Sequence, residues 1–334
     1  MMNISVSAPR KGVADTIAAA ASTRFHTEAF ETQEQRDAAS KLPKTDRQRM
    51  VENLLVKYAV FNTGLQIIKS NHMPVNGGQH AKGTVGAMLG ASRTGKSSVC
   101  EYYAAAYPPT LDDEGELFPV VHLQASVQMM PTEFAKKINE LTVNRHPARG
   151  GVGTFVDDAL LQLLRVKTQL LIIDDAQDLF FGRTELSAAS MYKLVKTILD
   201  FKTLAVLLVG DSKIDDFVNG IDAFANRGYN SVPLAPLSGG KDDMKRFAGL
   251  LRSIDKRLPF QNLSGLDDPT IVEDLFRYSE GMVGRVMNLI RPAAFIAFNA
   301  GTSHILIEHL REAVSTRMRK GDTFKYFGFG SDAA

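Results

Sequence analysis

The chain has 334 residues, of which 44% are hydrophobic and 23% charged, and its formal net charge is only +2. This composition is typical of a globular protein and excludes a disordered chain, a coiled coil and a collagen-like fibre. The single cysteine, Cys100, excludes an internal disulfide and a cysteine-based zinc site. Since no apolar run reaches membrane-spanning length and no signal-peptide pattern is present, we expect a cytoplasmic protein that does not associate with membranes.

The first part of the chain changes character near Thr45. Residues 1–44 are polar and alanine-rich with little periodicity, which favours a mobile arm with one short helix. From Met50 to Ile68 the apolar residues recur at helical spacing, which predicts a helix that begins near Thr45. Asn76-Gly77-Gly78 then interrupts the pattern. We expect residues 45–236 to form one α/β domain that includes this N-terminal helix.

Apolar strands then alternate with helices, which is typical of a parallel sheet covered on both faces. Five strands are predicted, at 84–89, 118–123, 170–173, 203–209 and 232–234. After Pro236 only helical patterns follow, so residues 237–318 are expected to form a small all-helical lid. Residues 319–334 are interpreted as a flexible tail, and its aromatic residues are Phe324, Tyr326, Phe327 and Phe329.

The most specific motif is Gly-Ala-Ser-Arg-Thr-Gly-Lys-Ser, which matches the phosphate-binding loop at every fixed position. Its glycines let backbone N–H groups point at phosphates, and the following helix adds its positive end. Lys96 is expected to reach the β- and γ-phosphates of ATP, and the hydroxyl of Ser97 to bind Mg²⁺. The predicted nucleotide ligands are Gly90, Ala91, Ser92, Arg93, Thr94, Gly95, Lys96, Ser97 and Ser98.

Two acidic residues, Asp174 and Asp175, end the apolar strand that begins at Leu170. Because this strand is predicted to be buried, its polar end can face the nucleotide. Asp174 is expected to hold the hydrated Mg²⁺, and Asp175 to orient or deprotonate the attacking water.

Three further residues are candidates for the same site. Asp211 follows the fourth predicted strand, at the end of the sheet where phosphates bind, and either Asp211 or the neighbouring Ser212 can place the water. Arg227 precedes the fifth strand and can reach the nucleotide of a neighbouring subunit. Arg285 begins a helix of the lid and can close that domain onto the nucleotide.

Together these motifs resemble those of an AAA+ ATPase, and within that superfamily the TniB/TnsC family of transposition regulators. The narrower resemblance is carried by the phosphate-binding loop, by Leu171 to Leu179 and by Val209 to Ser212. It implies an ATP-bound oligomer, a ring or a filament, on duplex DNA. It also implies that the protein links a TniQ-type target selector to a DDE-type transposase, in some relatives beside a CRISPR effector, and that ATP hydrolysis drives disassembly.

Two residues depart from the usual pattern of this superfamily. Asp175 stands where Glu is usual, and Asp211 stands where Thr is common. The shorter side chain of Asp175 predicts slow hydrolysis without partners. The Asp175 departure therefore keeps open a nucleotide-gated scaffold whose hydrolysis is incidental. An ATP-driven loader or remodeller of another DNA machine also stays open, because it would carry the same AAA+ motifs.

The expected DNA surface consists of residues 126–132 and 144–154, which both lie between the second and third predicted strands. Residues 144–154 combine arginines that can neutralise phosphates with glycines that allow close approach. Aromatic residues are absent from this stretch, so we expect binding without sequence preference. The candidate DNA contacts are Arg145, Arg149, Thr154, Lys136 and Thr132.

Overall fold

The structure, a computed structural model, describes residues 25–75, 83–142, 152–182, 184–200, 204–219 and 228–328. Contacts divide the chain into two units, and each unit has its own hydrophobic core. The sheet unit contains the described residues of Leu65–Gly90 and Ser97–Pro233. The helical unit contains those of Arg24–Gly64, Ala91–Lys96 and Leu234–Ala334.

The sheet unit is built on a five-stranded parallel sheet. The strands are, in chain order, β1 (Val85–Leu89), β2 (Thr110–Asp112), β3 (Gly115–Leu117), β4 (Val120–Gln124), β5 (Leu170–Asp174), β6 (Ala205–Gly210) and β7 (Asn230–Pro233). The sheet has the order β4-β5-β6-β1-β7, and all of its pairings are parallel. Every residue of β1, β5 and β6 is buried, which explains why these strands are apolar on both faces. The predicted α/β fold with a five-stranded parallel sheet is confirmed.

Helices flank the sheet and form the whole helical unit. They are α1 (Gln33–Ser40), α2 (Lys44–Glu52), α3 (Ala59–His72), α4 (Lys96–Ala105), α5 (Pro131–Thr142), α6 (Val152–Arg165), α7 (Gln177–Phe180), α8 (Glu185–Asp200), α9 (Lys213–Asn219), α10 (Lys241–Asp255), α11 (Pro269–Ser279), α12 (Val283–Ala300) and α13 (Ile307–Ser315). None of the helices in the described part of the chain has the length and apolarity that a membrane crossing requires.

One small element is absent from the predicted elements. Strands β2 and β3 form an antiparallel hairpin. The side chain of Asp112 shapes its turn by accepting hydrogen bonds from the backbone N–H groups of Glu114 and Gly115, at 2.8 and 3.0 Å. Both strands have three residues and are not buried, so they lack the alternation that predicts a strand.

The prediction of one helix from Thr45 through Ile68 is wrong. The structure has two helices, α2 and α3, separated by residues 53–58. Leu54 lies in this break and forms a parallel bridge with His26. The N–H of His26 donates to Asn53, and the N–H of Leu55 donates to His26, at 2.8 and 2.9 Å. The partner strand segment lies far away in sequence, so helical periodicity alone did not predict this break.

The short helix predicted in residues 1–44 is present as α1, which a Thr32 capping box starts. The rest of that prediction, a mobile arm, needs correction for residues 25–44, because α1 buries Arg36 and Ala39 and Arg36 donates to Asp255 and Phe260. The assignment of residues 45–64 to the α/β domain also needs correction. Contacts place Arg24–Gly64 in the helical unit, because Val51 and Leu54 belong to that unit's core.

The flexible aromatic tail is likewise corrected for residues 319–328. Tyr326 and Phe327 are each only 4% exposed and belong to the core of the helical unit. The ring of Phe324 lies under the guanidinium of Arg277, at 4.1 Å from its carbon. Aromatic side chains gain free energy by burial, so a glycine-containing segment can still dock on its own domain. Phe329 lies outside the described residues.

Candidate nucleotide site

The predicted phosphate-binding loop connects β1 to α4, as its chemistry requires. The loop turns back on itself: the hydroxyl of Thr94 and the ammonium of Lys96 both donate to the carbonyl of Ala91, at 3.0 and 2.8 Å. Arg93 and Gly95 adopt positive φ angles of 70° and 98°. Such a turn exposes successive backbone N–H groups, which is the arrangement that binds phosphates.

Gly95 is required by both its conformation and its surroundings. A Cβ atom there would lie 3.3 Å from Cγ1 of Val283, and the φ of 98° strains any other residue. Two more contacts within the helical unit hold the loop. The hydroxyl of Tyr58 donates to the carbonyl of Thr94 at 3.3 Å, and the N–H of Gly284 donates to Arg93 at 2.9 Å.

The candidate acids lie at the carboxyl edge of the sheet. Backbone hydrogen bonds continue past the strand ends here, from Gly90 to Gly210 at 3.0 Å and from Ala176 to Val209 at 2.9 Å. These bonds fix the segments that follow β1, β5 and β6. In an open parallel sheet, ligands bind at this edge.

Asp174 is buried, with 1% of its surface exposed, and ends β5. Within the described structure its Oδ2 atom has no hydrogen-bond partner, and Nε2 of His122 lies 3.5 Å from it. Burial acts to raise the pKa of the Asp174 carboxyl, whereas His122 and the hydroxyl of Ser97 lower it. The net pKa lies below the ordinary value, so the carboxyl is ionised at neutral pH.

These residues fit a magnesium ion. A buried carboxylate oxygen without a hydrogen bond is costly unless a cation or water engages it. Oxygen atoms of carboxylates and hydroxyls are the ligands that Mg²⁺ prefers, and Ser97 supplies a hydroxyl that already bonds to Asp174. The described residues contain no cluster of three His, Cys, Asp or Glu side chains. A site completed by phosphate oxygens and water does not need such a cluster.

Asp175 has a left-handed backbone with φ of 53°, which an aspartate tolerates better than most residues. Two glutamine amides hold its carboxylate. Nε2 of Gln124 donates to Oδ2, and Nε2 of Gln177 donates to Oδ1, both at 3.1 Å. The carboxylate therefore has a defined orientation beside Asp174.

Asp211 lies at the end of β6, on the same edge of the sheet. Its carboxylate accepts a hydrogen bond from the N–H of Lys213 at 2.9 Å and so caps α9. Its own backbone N–H donates to Oε1 of Gln177 at 3.2 Å. Gln177 thus bridges Asp175 and Asp211, and the placing of water by the Asp211 side chain stays a prediction.

Of the two arginines predicted to act on the nucleotide, the structure describes only Arg285. Arg285 forms an ion pair with Glu280 at 2.6 Å, and Glu280 also pairs with Arg319. A contact of Arg285 with nucleotide therefore stays a prediction. Arg227 lies outside the described residues.

The candidate DNA residues are only partly described. Thr132 and Lys136 lie on α5, and Lys136 is exposed. Thr154 is exposed on the first turn of α6. Arg145 and Arg149 lie outside the described residues.

Sequence analysis missed three side chains of the site, His122, Gln124 and Gln177. The pairing of β4 with β5 places His122 beside Ile172 and Gln124 beside Asp174. Polar residues in an otherwise apolar strand were a signal for the first two. Gln177 lies in the segment Leu171 to Leu179 that carries the family resemblance, but its role was not predicted, since its partner Asp211 is distant in sequence.

Several solved structures share this fold. The ORC2 protein of Aeropyrum pernix, in ADPNP and ADP complexes, is 14% identical, with a TM-score of 0.53 over 79% of this chain and 68% of that one. Cdc6p of Pyrobaculum aerophilum is 15% identical, with a TM-score of 0.51 over 76% of this chain and 66% of that one. A Walker-type ATPase of Pyrococcus abyssi is 14% identical, with a TM-score of 0.50 over 76% and 71%. The fold is therefore that of AAA+ proteins.

Among proteins with curated descriptions, none matches this sequence. The family described as "Bacterial TniB protein" matches residues 73–236. This segment holds the phosphate-binding loop, Asp174, Asp175 and Asp211. Residues 73–236, just under half of the chain, are thus similar to the TniB family.

Proposed function

We propose that this protein is an ATP-dependent regulator of DNA transposition that assembles on duplex DNA without sequence preference. The observation that carries the proposal is the TniB match over the segment in which Asp174, at the end of β5, bonds to the hydroxyl of Ser97 and accepts the N–H of Asp175. In this proposal the ATP-bound oligomer links a TniQ-type target selector to a DDE-type transposase. Hydrolysis then releases the oligomer from DNA.

In this proposal, different residues of the site bind the phosphates, hold Mg²⁺ and orient the attacking water. The backbone of Gly90–Lys96 binds the phosphates, and the ammonium of Lys96 exchanges its contact with Ala91 for phosphate oxygens. Ser97 and Asp174 hold Mg²⁺, which when bound neutralises charge on the β- and γ-phosphates. Asp175 accepts a hydrogen bond from the attacking water, orients it and takes up its proton.

Two arginines complete this chemistry, and one of them comes from a neighbouring subunit. Arg227 of one subunit acts on the nucleotide of its neighbour, so complete sites exist only in the oligomer. Arg285 acts on the nucleotide of its own subunit and must exchange its ion pair with Glu280 to do so. ATP binding and assembly are then coupled.

Contacts to duplex DNA come from Thr132, Lys136, Arg145, Arg149 and Thr154. Phosphate contacts release counterions, so affinity should fall steeply with salt. Arg145→Ala with Arg149→Ala should reduce the slope of log affinity against log salt by about 0.9 for each lost contact. The matched control is Arg246→Ala with Arg252→Ala, which removes two exposed arginines paired with Asp243 and Asp267. An unchanged slope in the first double variant would exclude this surface.

The decisive experiment is electron microscopy of the full chain with unrelated DNA duplexes and a non-hydrolysable ATP analogue. We expect an oligomer on every duplex, its absence without nucleotide, and retention of a DDE-type transposase on the assembled protein. Assembly without transposase retention would instead support a loader of another DNA machine. DNA binding that is the same with and without nucleotide would contradict the proposal.

A further inference from the structure

We propose that Gln177 is a positioning residue for ATP hydrolysis, which fixes the Asp175 carboxylate and ties it to the end of β6. This inference rests on the proposed ATPase function and concerns how its water-orienting acid is held. Nε2 of Gln177 donates to Oδ1 of Asp175 at 3.1 Å, and Oε1 of Gln177 accepts the N–H of Asp211 at 3.2 Å.

The two contacts define the orientation of the amide. If the amide were reversed, its oxygen would face the Asp175 carboxylate and its NH₂ group would face the N–H of Asp211. Both contacts would then be repulsive, because a carboxylate only accepts hydrogen bonds and a backbone N–H only donates. Gln177 therefore has one orientation in which both of its polar ends are satisfied.

The neighbouring backbone is shaped to admit this side chain. A Cβ atom on Gly210 would lie 2.1 Å from Oε1 of Gln177 and 2.8 Å from Cδ1 of Ile214. Gly210 does not have a positive φ angle, so the requirement for glycine here is one of space. The end of β6 thus leaves room for the Gln177 amide between the strand and α9.

Gln177 restrains a rotation of the Asp175 carboxylate that Gln124 alone does not prevent. The terminal torsion of an aspartate is broad, so a carboxylate held by one oxygen can still rotate. Gln124 holds Oδ2, and Gln177 holds Oδ1. With both oxygens held, the lone pairs that remain for water point in fixed directions. About 1 Å of misplacement can cost on the order of a hundredfold in rate.

The bridge also joins the two strand ends that face the phosphates. Oδ1 of Asp211 accepts the N–H of Lys213, whereas the backbone N–H of Asp211 donates to Gln177. The Gln177 amide is therefore bonded to the backbone that follows β6. A displacement of the β6 end would move the Gln177 amide and with it the carboxylate. Gln177 thereby makes the orientation of Asp175 depend on both strands.

The test uses Gln177→Leu, which keeps the size but removes both hydrogen bonds, and Gln177→Glu, which keeps the shape but places a second carboxylate against Asp175. The matched control is Gln48→Leu, which removes an exposed amide–carboxylate contact to Glu52 in the helical unit. We expect both Gln177 variants to lower kcat at least tenfold. KM, the Kd for ATP and the thermal midpoint should change little, and Gln48→Leu should behave as wild type.

Two measurements separate positioning from a merely structural role. In the nucleotide-free protein, amide hydrogen exchange at Asp211 should accelerate in Gln177→Leu while exchange within β5 and β6 stays slow. In an Asp175→Asn background, Gln177→Leu should have no further effect on single-turnover hydrolysis, because the two residues act as one unit.

Three outcomes would overturn the inference: a wild-type kcat in Gln177→Leu, unchanged amide exchange at Asp211, or a loss of hydrolysis in the Asp175→Asn background as large as the loss in the wild-type background. The inference would also fail if Gln177→Leu lowered ATP affinity by the same factor as kcat. If the wild-type protein itself neither binds nor hydrolyses ATP, the proposed function fails, and this inference fails with it. The wild-type control therefore distinguishes the two failures.

Discussion

The guanidinium of Arg36 and the backbone carbonyl of Asp255 form a buried hydrogen bond of 3.3 Å in the helical unit. The Asp255 carboxylate in turn accepts the N–H groups of Ser264, Gly265 and Leu266, at 2.9, 2.8 and 3.3 Å. Burial raises the pKa of Asp255 above its ordinary value, although these N–H groups and Arg36 act to lower it. A segment that looked unstructured in sequence is thus part of a buried polar network.

Asp255→Ala should destabilise the helical unit by roughly 2–4 kcal/mol, because it leaves the three N–H groups of residues 264–266 without their acceptor and removes the negative charge that interacts with Arg36. Asp255→Asn should cost less, since its amide oxygen still accepts one of these bonds. Urea denaturation followed by circular dichroism measures both. Equal stability of Asp255→Ala and wild type would show that solvent replaces the network.

Phe327→Ala should destabilise the helical unit by about 3 kcal/mol, since truncation of a buried phenylalanine leaves a cavity. Thr323→Ala, at an exposed position of the same segment, is the control and should change stability by less than about 0.5 kcal/mol. Thermal unfolding of both variants is the measurement. If Phe327→Ala unfolds as wild type does, the segment contributes packing but little stability.

The sequence predicted the sheet well because buried parallel strands are apolar on both faces and stand out from their surroundings. Strand β5, for example, reads Leu-Leu-Ile-Ile before its acids. The sequence did not predict the break at residues 53–58 or the packing of residues 25–44 and 319–328. That packing depends on distant contacts, such as those of Arg36 with Asp255 and Phe260, or on the burial of aromatic rings. Such long-range packing leaves no local periodicity, as the bridge from His26 to Leu54 illustrates.

The candidate site, like the fold, was predicted only in part. The loop was identifiable because phosphate binding imposes a fixed pattern of glycine, lysine and serine, and Asp174 was identifiable because it ends an apolar strand. Gln124 and Gln177 were not, because their roles arise from the register of neighbouring strands and from the space left by Gly210. The use of the Asp211 carboxylate as a helix cap could not be separated from a water-placing role before the structure.

Stability should decrease as the pH falls below about 6.5, in part because of His72. Burial lowers the pKa of His72 below its ordinary value of 6.5, although Gln169 opposes this. The unfolded chain therefore takes up a proton at a pH where folded His72 is still neutral, and stability is lost as pH falls toward the folded pKa. One such group produces a slope of at most about 1.4 kcal/mol per pH unit.

The measurement is urea denaturation at pH 7.5 and 5.5 for wild type and His72→Gln, where glutamine preserves the polarity of the site. Wild type should lose more stability between these conditions than the variant does. Identical losses would mean that His72 titrates alike in the folded and unfolded chains.

Lys96→Ala should weaken ATP binding at least tenfold, because hydrogen bonds to charged groups contribute about 1.5–3 kcal/mol each. Lys69→Ala, which removes an exposed lysine from α3, is the control for net charge. Isothermal titration calorimetry measures both affinities. Unchanged affinity in Lys96→Ala would contradict the assignment of the phosphate-binding loop.

The two adjacent acids should separate binding from hydrolysis. Asp174 is buried with an oxygen that has no hydrogen-bond partner in the described structure, whereas Asp175 is half-buried and held by amides. Asp174→Asn removes the charge that faces the metal, so the increase in ATP affinity on adding Mg²⁺ should shrink.

Asp175→Asn keeps Asp174 and the loop intact, so ATP affinity should stay within about twofold of wild type. Its hydrolysis should fall on the order of a hundredfold, because a neutral amide cannot take up the proton of water. Calorimetry with Mg²⁺ or EDTA, together with single-turnover hydrolysis, distinguishes the two variants. If Asp175→Asn instead loses the dependence on Mg²⁺ and Asp174→Asn retains it, the roles assigned to the two acids are reversed.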